Sequence, residues 1–365
     1  MNKADYSGRA LEKAAAARLR ELLGSVSWLK GWDLERNPSR HDKGFDLLAK
    51  LPIRRRKPVE LWVQCKSDPR PSLFPYVFVA SEASPPPVLV FAAPFISPNM
   101  ARTCEEHGWS WFDLAGNCRL DIPGAMLIER KGNEPIHEPP KPTANLSTAE
   151  SARVIRALLI PENAGKRWAQ REMQLHCQPN VSLGLVNKVF RYLRDEAFIE
   201  SGDDGFRVRD PLKLLFAWRD AYRFDRHHQR RYFTLKRGPE LKHSLSSLES
   251  ITGGYAAYCA FSAADFQAPH VRQPRTWLFI GADWEEECAA AVGAKIVDTG
   301  ENLMVLIPDD LGVFYGQESE GDRLASTNPV QTYVDLWHCG NRGQEAAEAL
   351  LNQKLKLEWK TRRLL

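Results

Sequence analysis

The sequence predicts a mixed α/β (α+β) protein of several domains. Its 365 residues exceed the roughly 100–200 residues of a typical domain. Strand-like apolar runs dominate before residue 137, whereas short amphipathic helices follow it. Between them, the run 135–143 holds four prolines and predicts a linker, because proline fixes φ and lacks a backbone N–H. The predicted divisions are 1–137, a linker at 138–147, 148–210 and 211–365.

The first division begins with a helical pattern and continues with strands. Leucine and alanine recur at helical spacing from Leu11 to Leu23 and predict an amphipathic helix over about 8–23. Later runs predict, in order, strand 44–49, strand 59–66, strand 88–92, helix 98–107 and strand 109–112. The sequence has neither a GxxxxGK(S/T) nor a GxGxxG motif, so nucleotide binding through such glycine-rich loops is not predicted.

Four polar residues follow this order of elements: Glu12 in the helix, Asp46 in the first strand, and Gln64 and Lys66 in the next. Residues two apart on a strand share a face, so Gln64 and Lys66 would converge with Asp46, while Cys65 would face the core. The order resembles the PD-(D/E)xK nucleases, and most closely the Mrr-type restriction enzymes, with glutamine in place of the second acid. The resemblance implies a restriction endonuclease-like domain. In such a site Asp46 and Gln64 would hold Mg²⁺, Lys66 would orient water, and Glu12 would add a carboxylate.

Two interpretations of this division stay open: an active metal-dependent DNA endonuclease, or a shell that binds DNA without cleaving it. Phe45 stands directly before Asp46, where the common pattern has proline. Mg²⁺ is expected only if the domain is active, and DNA binding itself requires no cofactor. Backbone phosphate contacts are predicted for the basic run in the turn between the first two strands, Arg54, Arg55, Arg56 and Lys57.

Residues 148–210 carry three helical patterns and a hairpin pattern. Thr148 and Ser182 are placed to cap the first and third helices. Valine, phenylalanine and leucine three and four apart between 186 and 193 form the buried face of the third helix. An Asp-Gly turn at 204–205 joins two short strands. Three helices and a hairpin in about 60 residues resemble a winged helix-turn-helix domain, which implies binding to double-stranded DNA.

The charge distribution favours a polyanionic partner for the middle of the chain. Residues 148–238 hold 18 Lys/Arg against 11 Asp/Glu, a net charge of +7, whereas residues 239–365 have a net charge of −7. The major groove admits one helix. DNA contacts are therefore predicted for Gln170 and Arg171 of the second helix, for Ser182, Leu185, Asn187, Lys188 and Arg191 of the third, and for Arg207 and Arg209 of the hairpin. The usual symmetry of such DNA readers predicts a homodimer, while a protein-contact role without DNA stays an alternative.

The last division carries two further motifs. Pro-Val-Gln-x-Tyr-x-Asp-Leu at 329–336 and Arg-Gly-x-Glu-Ala-Ala at 342–347 resemble the C-terminal domain of AbiEi-type antitoxins, which follows a winged helix in that family. The resemblance implies an antitoxin-like transcriptional repressor whose functional counterpart is a nucleotidyltransferase toxin. From the residues alone, 329–336 is a helix with an apolar core face. The adjacent His227 and His228 are interpreted as basic surface and not as a metal site.

The remaining features predict a cytoplasmic protein without a membrane partner. The seven cysteines form no CxxC pair, which favours reduced thiols. No apolar run approaches the ~20 residues of a membrane span, and the N-terminus lacks the apolar core of a signal peptide. The predicted function is a DNA-binding regulator with a nuclease-like N-terminal domain. The alternatives are a Mg²⁺-dependent endonuclease targeted by the winged helix, and a partner-contact scaffold.

Overall fold

A computed structural model of the chain describes residues 8–36, 45–53, 57–75, 85–136, 142–340 and 342–361. The chain divides into two units, Met1–Lys141 and Pro142–Leu365. Each unit combines helices with a β-sheet, so the predicted mixed α/β multidomain fold class is confirmed.

In its described residues, the first unit is built on a seven-stranded sheet whose strands follow sequence order. These are β1 (Asp33–Arg36), β2 (Leu47–Leu51), β3 (Val59–Cys65), β4 (Val88–Ala93), β5 (Ser110–Asp113), β6 (Cys118–Ile122) and β7 (Met126–Arg130). Strands β3, β4 and β5 run parallel, and the other neighbouring pairs are antiparallel. The strands predicted in this division are confirmed within a few residues, while β1, β6 and β7 were not predicted.

A helix covers each face of this sheet. Helix α1 (Gly8–Gly24) buries its leucine and alanine face against Leu47, Leu61 and Val63, as its periodicity predicts. Helix α2 (Pro98–Glu106) packs against the opposite face, in a core rich in tryptophan and phenylalanine. The Ser97 hydroxyl accepts the Met100 amide at 3.2 Å and fixes the start of α2.

The second unit begins with three helices and a hairpin. They are α3 (Ala149–Leu159), α4 (Gln170–His176), α5 (Leu183–Asp195), β8 (Ile199–Gly202) and β9 (Gly205–Val208). The Thr148 hydroxyl accepts the Ser151 amide at 3.3 Å and the Ser182 hydroxyl accepts the Leu185 amide at 3.1 Å, so both predicted caps are confirmed. The apolar face predicted for α5 is fully buried. Helical periodicity and capping are local signals, which is why the sequence locates these elements well.

A short backbone pairing fastens the hairpin to the start of α4. The Trp168 amide donates to the Phe206 carbonyl at 2.7 Å, and the Phe206 amide donates to the Trp168 carbonyl at 3.0 Å. Gly205, with φ +118°, makes this approach possible, because a Cβ there would lie 2.7 Å from the Trp168 carbonyl oxygen. The hairpin is therefore held in one position relative to α4 and α5.

The rest of the second unit surrounds a sheet that has, in its described residues, the order β11-β12-β14-β10-β13. Its strands are β10 (His228–Thr234), β11 (Ala256–Tyr258), β12 (Thr276–Ile280), β13 (Ala294–Ile296) and β14 (Leu303–Ile307). The helices are α6 (Pro211–Ala221), α7 (Gly238–Ser246), α8 (Leu248–Thr252), α9 (Ala260–Gln267), α10 (Glu285–Val292), α11 (Pro329–His338), α12 (Gly343–Leu350) and α13 (Lys356–Thr361).

One apolar core runs through both parts of the second unit. It contains residues of α3 and α5 together with residues of α11, α12 and α13. Trp359 of α13 is 0% exposed, and its indole Nε1–H donates to the Leu159 carbonyl at the end of α3 at 3.0 Å. Leu146, at the end of the predicted linker, is also buried in this core. The helices of 148–210 are thus packed directly on the C-terminal part of the chain.

Candidate functional site

A row of polar side chains lies on the outer face of α5, next to α4. Asn187, Lys188 and Arg191 are exposed, as the helical phase predicts. The Asn187 amide donates to Gln170 Oε1 at 3.4 Å, and Arg191 Nη2 donates to Asn187 Oδ1 at 3.4 Å. The side chains of Gln170, Asn187, Lys188 and Arg191 are called the α5 polar face below. Long weak hydrogen bonds leave these groups free to change partners.

The other predicted contacts on these two helices have different surroundings. Ser182 is exposed, but its hydroxyl caps α5. Leu185 is half-buried and packs against the core of the second unit. Arg171, in the first turn of α4, is exposed. Arg171 is therefore available to an outside partner, whereas Ser182 and Leu185 also serve the fold.

The hairpin carries acids as well as the predicted basic residues. Arg207 Nε donates to a Glu200 carboxylate oxygen, and Arg167 lies 3.1 Å from Asp204 and 3.7 Å from Glu200. Arg209 is exposed and forms no ion pair within the part of the chain that the structure describes. Because Glu200 already balances the charge of Arg207, Arg209 is the freer cation of the two.

In the first unit, three of the four nuclease-like residues lie near one another. The Asp46 amide donates to the Val63 carbonyl at 2.8 Å, and its carboxylate accepts the Cys65 amide at 2.7 Å, which ties it to β3. Burial raises the pKa of Asp46, and the hydrogen bond from the Cys65 amide lowers it. The charge of Glu12 raises this pKa further, and the charge of Lys66 lowers it. Charge effects of this kind require proximity, so Glu12, Asp46 and Lys66 form one cluster.

Gln64, the fourth nuclease-like residue, and its neighbour Cys65 belong to β3. Gln64 is 7% exposed, and within the described structure its Oε1 has no hydrogen-bond partner. The Cys65 thiol, assigned to the core from the sequence, is only partly buried, and burial followed by the charges of Asp46 and Glu12 raises its pKa. Among the described residues, no three His, Cys, Asp or Glu side chains are grouped closely enough to hold a metal ion.

The basic run between β2 and β3 falls mostly outside the described residues. Arg54, Arg55 and Arg56 belong to the part of the chain that the structure does not describe. Lys57 is described, and it is exposed. The predicted phosphate contacts of this run therefore stay a prediction.

The second unit contains a buried polar network that the sequence did not predict. Arg156 of α3 donates through Nε and Nη2 to Gln331 Oε1 at 2.9 and 2.7 Å. The Gln331 amide donates to the Tyr222 hydroxyl at 2.9 Å and to Asp335 Oδ1 at 2.8 Å. The Tyr222 hydroxyl donates to Asp335 Oδ1 at 2.7 Å and lies 2.7 Å from His227 Nε2. The network joins α3 to α11.

The protonation of this network is set by burial. Burial, and then the charge of Arg156, lowers the pKa of His227 to about 4. Burial raises the pKa of Asp335 to about 7. The Asp309 amide donates to His227 Nδ1 at 3.2 Å, so a neutral ring carries its proton on Nε2 and donates to Tyr222.

The interpretation of His227 as basic surface is wrong. His227 is 7% exposed and uncharged near neutral pH, while the neighbouring His228 is exposed in β10. The two side chains face different directions because successive residues of an extended chain alternate. Gln331 and Asp335 are four apart and share the side of α11 opposite Val330, Tyr333 and Val334, which on the sequence alone is simply a polar face, although the structure buries it.

Residues 207–356 match the family described as "Transcriptional regulator, AbiEi antitoxin, Type IV TA system". The predicted resemblance of the C-terminal division to AbiEi-type antitoxins is confirmed for this segment. The match supports a role in transcription regulation within a type IV toxin–antitoxin system. No curated protein and no solved structure matches the chain. Among the described helices, none has both the length and the apolar character needed to cross a bilayer.

Proposed function

We propose that the protein is a DNA-binding transcriptional regulator of the antitoxin type, in which residues 148–210 act as a winged helix-turn-helix domain. The observation that carries this proposal is the α5 polar face, which lies on a helix whose opposite side is locked into the core. The match at 207–356 supports the regulatory role. In this proposal α5 enters the major groove of double-stranded DNA.

Each group of the α5 polar face has a chemical task in this proposal. An asparagine amide pairs with the donor and acceptor edge of adenine, so Asn187 is assigned to base readout. Lys188 and Arg191 are assigned to phosphates or to guanine, and Arg171 and Arg209 to phosphates on either side. In the free protein Asn187 forms only long hydrogen bonds with Gln170 and Arg191, and these can be exchanged for contacts with DNA.

The double variant Lys188→Ala/Arg191→Ala is expected to bind duplex DNA about 10- to 100-fold more weakly than the parent. The slope of log affinity against log salt should fall by roughly 1–2, because fewer counterions are released. Fluorescence anisotropy with a labelled duplex at several salt concentrations measures both. Arg272→Ala/Lys295→Ala removes the same charge from exposed residues elsewhere and is the control. Equal affinities for the parent and the Lys188/Arg191 variant would contradict the role of α5.

The partners of the regulator follow from the same proposal. A DNA reader of this type commonly binds a two-fold symmetric operator as a homodimer, so we infer a homodimer on DNA. The antitoxin match implies a toxin as the functional counterpart, and we infer a toxin of the nucleotidyltransferase type. In the first unit, Arg54, Arg55, Arg56 and Lys57 would add affinity that does not depend on DNA sequence.

A second candidate function, a Mg²⁺-dependent DNA endonuclease, is favoured by the cluster of Glu12, Asp46 and Lys66. The unpartnered Gln64 Oε1 and the Asp46 carboxylate are oxygen donors of the kind Mg²⁺ takes beside water and phosphate. Bound there, the ion would polarise the phosphate, and Lys66 would orient the water.

If this second function is correct, supercoiled DNA incubated with the protein and Mg²⁺ or Mn²⁺ is expected to be nicked or linearised. Asp46→Ala and Lys66→Ala should each abolish this cleavage, because both residues act on the phosphate that reacts. Agarose gel electrophoresis measures it, and Lys30→Ala, an exposed lysine outside the cluster, is the control. Absence of cleavage by the parent protein would leave the first unit without nuclease activity and leave the regulator proposal intact.

A further inference from the structure

The first two residues of α5, Leu183 and Gly184, both lie on the outer surface of the helix. Leu183 is 43% exposed and is not part of the apolar core of the second unit. Leu185, the leucine predicted from the sequence to contact DNA, is half-buried and packs against that core. A single exposed leucine is ordinary on a protein surface, so any inference has to rest on its position. Of these two leucines of α5, Leu183 is the one that a partner can reach.

The helical spacing places Leu183 next to the α5 polar face. Leu183 and Asn187 are four residues apart, so their side chains lie on the same side of the helix. That side borders α4, because the Asn187 amide donates to Gln170 Oε1 at 3.4 Å. The Ser182 hydroxyl accepts the Leu185 amide at 3.1 Å and fixes the backbone of this first turn. Leu183 therefore extends the row that contains Asn187 with an apolar group.

Gly184 lies at the centre of the outer surface of α5. Gly184, Lys188 and Arg191 are spaced by four and three residues on the side opposite the buried residues, and all three are exposed. The backbone of Gly184 is not in the left-handed conformation that favours glycine. A Cβ there would meet only the Ser182 hydroxyl oxygen, at an ordinary contact distance of 4.0 Å. Alanine would fit and would favour the helix, so nothing in the described chain requires glycine here.

The major groove of DNA offers a chemical match for both residues. Thymine presents its 5-methyl group there, and apolar side chains contact it. Asn187 is assigned to adenine in the proposed function, and four residues of a helix rise only about 6 Å, less than two base-pair steps of ~3.4 Å. Leu183 can therefore reach a thymine within about two base pairs of that adenine. A residue without a Cβ, such as Gly184, lets the helix backbone approach the base edges closely.

We propose that Leu183 is a specificity-determining residue that contacts the 5-methyl group of a thymine in the major groove, and that Gly184 lets α5 approach closely enough for this contact. The inference rests on the proposed function, in which α5 enters the groove. Lys188 and Arg191 then attract the duplex by their charge, whereas Leu183 favours thymine over a base without the methyl group. The ligand is a duplex with such a thymine close to the adenine that Asn187 contacts.

The test uses the full chain and a duplex that the parent protein selects from a pool of random sequences. A second copy carries deoxyuridine at every thymine position, which removes the methyl groups and keeps the base pairing. Fluorescence anisotropy should show that the parent binds the uracil duplex about 3- to 10-fold more weakly. Replacing the thymines one at a time should assign the loss to positions close to an adenine that the variant Asn187→Ala no longer distinguishes.

Leu183→Ala should bind the thymine duplex about as weakly as the parent binds the uracil duplex. Replacing thymine by uracil should then weaken its binding by less than about twofold, because the leucine and the methyl group form one contact. Leu357→Ala is the matched control, since Leu357 is 56% exposed on α13. This control should lose as much affinity on the change to uracil as the parent does.

Gly184→Ala should weaken binding to both duplexes about tenfold or more, because its Cβ would hold α5 away from the base edges. The midpoint of its thermal unfolding, followed by circular dichroism, should equal or exceed that of the parent, since alanine stabilises helices. Weaker binding by a protein of unimpaired stability separates this role from a contribution to folding. A Gly184→Ala variant that binds as tightly as the parent would overturn the close approach.

The remaining outcomes separate this inference from the function on which it rests. Equal affinity of the parent for the thymine and uracil duplexes would overturn the assignment of Leu183 and leave the DNA-binding proposal standing. A uracil penalty that is undiminished in Leu183→Ala would do the same, because another residue would then contact the methyl group. A parent protein that binds all duplexes of the pool alike would contradict both the thymine contact and base readout by α5.

Discussion

Replacing Trp359 with alanine is expected to lower the free energy of unfolding of the second unit by about 3–5 kcal/mol. Trp359 is fully buried between α13 and α3, so its removal leaves a large cavity that rigid neighbours fill only in part. The Leu159 carbonyl also loses the indole N–H that it accepts. Both effects act in the same direction, and most domains have only 5–15 kcal/mol of stability to lose.

Urea unfolding followed by circular dichroism measures this loss. Trp359→Phe is the first control, because it keeps most of the packing and removes the hydrogen bond, so its effect should be smaller. Leu357→Ala is the second control, since Leu357 is 56% exposed on the same helix and should change stability by less than about 0.5 kcal/mol. A loss below about 1 kcal/mol for Trp359→Ala would show that α13 is not part of the core of the second unit.

The stability difference between the parent protein and Asp335→Asn is expected to depend strongly on pH. The pKa of Asp335 is about 7 in the folded protein against an ordinary value of 3.8, so the folded state retains the proton longer. Its contribution to stability is complete below pH 3.8 and is lost as the pH rises through 7. The loss amounts to up to about 4 kcal/mol. Asparagine cannot ionise, so the variant should gain stability relative to the parent over this range.

The contribution of His227 to stability is expected to depend on pH in the opposite direction. Its folded pKa is lowered to about 4 from an ordinary value of 6.5, so the folded state favours the neutral ring. Its contribution is complete above pH 6.5 and is lost as the pH falls through 4. Between these values the slopes of His227 and Asp335 oppose each other in the parent protein. The variant His227→Gln keeps a donor for Tyr222 but cannot titrate. Its free energy of unfolding should therefore fall with rising pH, as the titration of Asp335 alone requires.

Urea titrations at pH 4.5, 5.5, 6.5 and 7.5 separate the two contributions. The parent minus Asp335→Asn difference should fall steadily as the pH rises, and the parent minus His227→Gln difference should rise. Glu150→Gln, an exposed carboxyl variant in α3, should show neither trend. If the free energy of unfolding of both variants changes with pH as that of the parent does, neither group has the shifted pKa described here.

The elements that the sequence predicted well are those set by neighbouring residues. The caps Thr148 and Ser182 and the apolar spacing of α5 lie within a few residues of what they control. For the same reason, the helical spacing predicted that Asn187, Lys188 and Arg191 are exposed on α5. In the first unit, Asp46 and Lys66 are near each other because adjacent strands bring them together, as their order along the chain predicts.

The buried network could not be predicted in this way, because its members are far apart in sequence. Arg156 meets Gln331 across 175 positions, and Tyr222 meets Asp335 across 113. From the sequence alone an arginine is most simply placed on the surface, where arginine usually lies. The ion pair between Arg207 and Glu200 was missed for a related reason, since opposition across a hairpin depends on its register.

The contact between Trp359 and the end of α3 also has a genetic consequence. The codon for Trp359 lies about 170 positions beyond those of the α5 polar face. A stop codon placed there would spare every proposed DNA contact and still remove the side chain that seals α3. Such an allele would keep all the proposed DNA-contacting residues but would lose the packing that stabilises α3. Its loss of repression would map far from the DNA-contacting residues.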